Sequence, residues 1–145
     1  MTKELDEIFY DALTNDEAIM ALCEGRIFST CVEVAPVDDD NTPVPYIIIT
    51  DDPFSNDMGT KDDIWEGDTD RVAASVQISA NSPYEVRMIR RMVRKAIGEH
   101  IAQMQERIPF LYSLNNDGIS WDWTKPCYYD ALHYSADMQV DLSNE

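Results

Sequence analysis

The sequence predicts an α+β domain in which helices cover one face of a mainly antiparallel sheet, in the order α-α-β-β-β-α-β-β. Three observations lead there. Two amphipathic stripes open the chain, the apolar period changes to two after Gly25, and one long capped helix beginning near Ser82 divides the strands.

The first helix is expected from about Lys3 to Leu13, because Leu5, Ile8, Phe9, Ala12 and Leu13 recur on one stripe with acids opposite. Thr14 or Asn15 can cap a second, Asp16 to Cys23, whose end is marked by Gly25. Arg26 to Val34 and the proline-bracketed run P-V-P-Y-I-I-I-T then read as strands, joined by the turn chemistry of A-P-V-D-D-D-N-T-P. A long acidic loop follows over about 51–70, and loops of that length are commonly functional or mobile.

R-V-A-A-S-V-Q-I-S-A alternates cleanly, with Val72, Ala74, Val76, Ile78 and Ala80 on one face. Ser82, Pro83 and Glu85 then supply an N-cap, a first-turn proline and the acid of a capping box. The helix they start carries Val86, Ile89, Val93, Ala96, Ile97, Ile101, Met104 and Ile108 as its core stripe and is expected to run until Pro109. Asn115 to Gly118 is a turn, I-S-W-D-W-T-K a strand with Ile119, Trp121 and Trp123 on one face, and Leu132 to Leu142 the final alternation. On the W-D-W strand the two tryptophans are expected to cap the core, an interface role being the alternative. The sheet face away from the helices reads as polar and weakly charged.

A chain of 145 residues is most simply one domain over 1–145, able to bury about 68–70% of its unfolded surface without disulfides or metals. Its 28 acidic and 11 basic residues give a formal charge of −17, which opposes general binding to nucleic acid or anionic membranes. No apolar run approaches a membrane span, and M-T-K-E-L-D-E is no leader, so a soluble intracellular protein is expected. Cys23, Cys31 and Cys127 are odd in number and lack C-x-x-C spacing, which fits reduced side chains.

Catalytic signatures are missing. G-x-S-x-G, G-x-G-x-x-G and G-K-[ST] do not occur, and His100 and His133 stand apart from any metal-ligand cluster. Asp38 to Asp40 and the acids from Asp62 to Asp70 lack the EF-hand pattern and read as solvated loops with at most adventitious divalent binding. No enzyme, metal or cofactor is expected.

Against that acidity, Ser82 to Ile97 holds five of the basic residues, Arg87, Arg90, Arg91, Arg94 and Lys95, all off the apolar stripe. They form either a solvated face with weak ion pairs or a contact for an acidic partner. Nucleic acid suits them less well than the acidic surface of a second copy, met head to tail.

In order along the chain, N-D-E-A-I-M-A-L-C-E-G-R-I-F, P-V-P-Y-I-I-I-T and R-V-A-A-S-V-Q-I-S-A-N-S-P-Y-E-V-R-M-I-R-R-M-V-R-K-A-I, with the closing alternating strand, resemble the tail-completion or tail-terminator proteins of long-tailed bacteriophages and prophages. The likeness runs over nearly the whole chain and rests on motif order. It implies an α+β subunit of a hexameric ring that caps the tail tube, stops its polymerisation and faces the head connector. On that basis the homo-oligomer interface is expected at Arg87, Arg90, Arg91, Arg94 and Lys95, and a contact with tail tube protein or connector at Asp62, Asp63, Ile64, Trp65 and Glu66. The same resemblance implies a virion protein of the tail or neck, assembled in the host cytoplasm, with DNA only as passing cargo. Acidic lumen walls would keep that DNA from sticking, provided the surplus acids face the lumen. The 51–70 loop and the W-D-W segment depart from the simplest family members. A small acidic interaction module with a basic partner and a hydrolase or metal-dependent enzyme with an unrecognised carboxylate site are the competing readings.

Overall fold

In the computed structural model, which describes residues 4–32, 34–52 and 69–139, helices lie on one face of a six-stranded sheet. The order is α1 (Leu5–Thr14), α2 (Glu17–Cys23), β1 (Ile27–Ser29), β2 (Tyr46–Asp52), β3 (Thr69–Ala80), α3 (Pro83–Ala102), β4 (Phe110–Asn116), β5 (Ser120–Asp122) and β6 (Cys127–Gln139).

Each helix begins where a side chain or backbone group answers its free amides. At α1, the Glu4 amide donates to Glu7 Oε1 at 3.0 Å. Asp16, rather than Thr14 or Asn15, caps α2 by accepting from the Ile19 amide at 3.0 Å. The helix closes through two left-handed residues, Glu24 at φ 49° and Gly25 at φ 80°. Ser82 caps α3 as the sequence predicts, its Oγ accepting from the Glu85 amide at 3.2 Å, with Pro83 in the first turn.

α3 stops at Ala102, one turn and more before Pro109. Tighter turns replace it: the Met104 amide donates to Ile101 O, and the Arg107 and Ile108 amides both donate to Met104 O. That path keeps Ile108 buried while releasing Pro109 to lead into β4.

The sheet order is β1-β2-β3-β6-β4, with β5 beside β4 on the same edge of β6. β1 pairs parallel to β2, so the sheet is mixed, although the other ladders are antiparallel. β1 is also shorter than the nine-residue run read from Arg26 to Val34. β3 and β6 pair continuously from Thr69 opposite Gln139 to Ala80 opposite Tyr128. β6 starts at Cys127, before the expected Leu132; the far end of the predicted alternation, Val140 and Leu142, lies outside the described residues.

β4 is a strand that the sequence reading misses, and Asn115 and Asn116 belong to it rather than to the turn. Its large side chains Phe110, Tyr112 and Leu114 point away from the core and are exposed, so their alternation marks no buried face. β5 is shorter than predicted because the Asp122 carboxylate ends it, Oδ1 accepting from Thr124 N at 2.9 Å, Thr124 Oγ1 at 2.7 Å and Lys125 N at 3.3 Å. Trp123 therefore leaves the strand and is 85% exposed, which corrects the expectation that both tryptophans cap the core.

The core lies between helices and sheet, with Phe9, Leu13, Ile19, Val93 and Ile97 against Ile47, Ile49, Val76, Ile78, Leu132 and Tyr134. Phe9 and Tyr134 meet edge to face at 5.2 Å. The second sheet face, read as polar and weakly charged, is not uniformly polar. Tyr46, Ile48, Ala73, Ser79 and Ser135 on it are buried, and Lys125 Nζ ties the 30–45 connection across by donating to Val32 O at 3.0 Å.

Candidate functional site

The five basic residues of α3 fall into three settings. Arg90 turns inward: its Nη1 donates to Asp130 Oδ2 at 2.8 Å, with Asp130 fully buried and Arg90 22% exposed. The same carboxylate accepts from Asn116 Nδ2 at 3.0 Å and, through Oδ1, from the Gly118 amide at 2.9 Å. Arg90 thus fastens α3 to β6 and to the β4–β5 turn, a role within the subunit that its placement beside the other surface arginines does not reveal.

Burial pushes the Tyr134 phenol up, and the nearby charge of Arg94 works against the rise. Arg87, Arg91 and Lys95 are exposed and make no ion pair among the described residues. With Tyr84, Met88 and Met92, Arg87 and Arg91 line a shallow hollow of about 410 Å³. Tyr84 is 71% exposed, so the patch joins an apolar floor to two free guanidinium groups. The apolar part escapes the sequence reading, although Tyr84, Met88 and Met92 recur at i, i+4, i+8, with Met92 packing in part against the core.

α1 packs on β2 and β3, and α3 on β3 and β6, so the sheet order places them toward opposite edges. On the β1 side, Asp6, Glu7, Tyr10 and Asp11 of α1 surround a second hollow of about 190 Å³ that Ser29 of β1 completes. Asp51 stands near it, its carboxyl raised above the ordinary range by partial burial and then by the charges of Asp6 and Asp52. One patch is acidic around a tyrosine, the other basic around methionines.

Two further surfaces carry aromatic side chains. On the β4 edge, Phe110 stacks on Tyr112 at 6.4 Å, and Arg71 lies 5.2 Å over the Tyr112 ring. Arg71 Nε also donates to Asp137 Oδ1 at 3.0 Å, and the Tyr112 hydroxyl donates to Asp137 Oδ2 at 3.1 Å. Near the other end of β6, Trp121 packs edge to face on Tyr128 at 4.8 Å and on Trp123 at 5.7 Å. Trp121 lines a cavity of about 490 Å³ with Val34, Val37, Pro43 and Pro126, and its buried Nε1 has no acceptor among the described residues.

Asp62, Asp63, Ile64, Trp65 and Glu66 lie outside the described residues. His133 Nε2 is 2.9 Å from Asp117 Oδ1, and His100 is half-buried in the last turn of α3. Among the described residues no three His, Cys, Asp or Glu side chains gather as a metal site, and no helix is long and apolar enough to cross a membrane.

No protein-family model and no curated protein sequence matches the chain. Its fold is shared with solved structures, among them a chain of the virion of a native gene transfer agent particle, at a TM-score of 0.53 and 12% identity. The alignment covers 94% of this chain and 95% of that one, so the shared architecture runs from end to end.

Proposed function

We propose that this chain is a structural protein of a phage-like virion, of the tail-terminator class, whose copies form a ring that caps the tail tube and joins it to the head connector. The observation that carries the reading is the end-to-end fold likeness to a virion chain of nearly equal length. The order of sequence motifs supports the finer assignment, and the separate basic and acidic patches suit a heterologous contact between copies. In this role the protein does no catalysis and holds no cofactor. It works by self-association, most simply as a hexamer, and by contacts with tail tube protein and the connector, while DNA only passes through.

The test is the solution mass over a concentration series at low and high salt, followed by addition of purified tail tube protein. A ring-sized species that loosens with salt, or one that forms on tube ends and halts their growth, is the expected result. A chain that remains monomeric and leaves tube growth unchanged overturns the reading in favour of an interaction module for a basic partner.

A further inference from the structure

The structure assigns a specific pair of surfaces to contact between copies: the Tyr84–Arg87–Met88–Arg91 hollow of α3 receives the Asp6–Tyr10–Asp11 face of α1 from the next copy. This rests on the ring reading above and deepens it by naming both halves of the joint.

Three observations converge on that pairing. Arg87 and Arg91 are exposed cations without ion-pair partners among the described residues, on a protein whose formal charge is −17. Between them the exposed Tyr84 and the partly buried Met88 and Met92 leave a hollow of about 410 Å³ with an adaptable apolar floor. The occupant therefore needs carboxylates flanking an apolar or aromatic side chain. α1 offers that arrangement, with Tyr10 41% exposed between Asp6, Glu7 and Asp11. A tyrosine seated among methionines gains apolar contact while its hydroxyl stays near the arginines.

The placement of the helices supplies the geometry. α1 packs on β2 and β3 and α3 on β3 and β6, so the acidic and basic patches sit on different helices and one copy can engage two neighbours through them. Because the two patches differ, the contact is heterologous and repeats until it closes. Asp51, raised first by partial burial and then by the charges of Asp6 and Asp52, adds to the acidity beside α1.

Two charge-reversed proteins test the joint. One carries Arg87→Glu and Arg91→Glu, the other Asp6→Lys and Asp11→Lys; circular dichroism checks that each is folded, and light scattering at low salt reads the mass. Each variant alone is expected to need a concentration at least about tenfold higher than the wild type for half-assembly, because like charges now face each other. Mixed one to one, they restore the wild-type mass, since each reversed flank meets its opposite. If the wild type assembles and either folded variant assembles equally well, or the mixture fails to recover, this pairing is wrong while the ring reading stands. A wild type that is monomeric at every concentration and on tube ends overturns both.

Discussion

The guanidinium of Arg90 and the carboxylate of Asp130 meet at 2.8 Å between α3 and β6, forty residues apart in the chain and with the carboxylate wholly removed from solvent. Asn116 and Gly118 supply the other two hydrogen bonds, so helix, strand and the β4–β5 turn share one anion. Removing one member leaves the rest buried and unmatched. Arg90→Met and Asp130→Ala are each expected to cost about 3–5 kcal/mol in urea denaturation. Arg90→Met with Asp130→Leu should cost less than the sum of the two single changes, and strict additivity would show that the pair is not coupled.

Two glycines should respond to alanine with opposite signs. Gly118 holds φ at +90° while its amide serves Asp130, and a Cβ there would meet no heavy atom within 4 Å, so only backbone strain opposes it. Gly118→Ala is expected to destabilise by about 1 kcal/mol. Gly98 lies exposed inside α3 with equally open space around it. Gly98→Ala should stabilise by about 0.5–1 kcal/mol. Thermal melts of the two variants, moving in opposite directions, check both.

Alkali should unfold the protein through two buried groups. Burial raises the Cys23 thiol from 9.0 to about 11 and the Tyr46 phenol from 10.0 to about 12. The unfolded chain ionises first, so the stability these groups supply is complete below pH 9 and is lost as pH rises through 11 and 12. The melting temperature should fall across that window, less steeply in Cys23→Ala. A flat profile there would contradict the burial of both groups. The exposed Cys31 should meanwhile react with a thiol reagent in the native protein while Cys23 does not.

Tyr112 offers a spectroscopic test of the β4 edge. The hydrogen bond it donates to Asp137, ahead of any other cause, holds its phenol above the ordinary range. Asp137→Asn should therefore let Tyr112 ionise at lower pH, seen as earlier phenolate absorbance, and should loosen Arg71 from its place over the ring. No change in that titration would place Tyr112 away from Asp137 in solution.

What could be read from the sequence was local. Ser82 and Pro83 announce α3 because the cap and the turn lie within four residues, and the β3 alternation is visible because its apolar face is its buried face. β4 stays hidden since Phe110, Tyr112 and Leu114 face solvent and only a distant partner, β6, makes the segment a strand. Asp130 interrupts an otherwise apolar face between Tyr128 and Leu132. That was the available sign of a buried carboxylate, but nothing nearby names Arg90 as its counterion. The basic helix was legible as a patch, whereas its division into an inward Arg90 and outward Arg87 and Arg91 depends on where β6 passes.

The continuous pairing of β3 with β6 also has a mechanical meaning. Twelve paired residues from Thr69 to Ala80 form a ribbon about 40 Å long. A pull along that ribbon loads its cross-strand bonds together, in shear, because they stand perpendicular to the strands. β1, held by three pairs on the far edge, would instead peel one bond at a time. Under tension, then, this subunit should yield first at its rim, keeping its central spine intact at forces that have already stripped the edge.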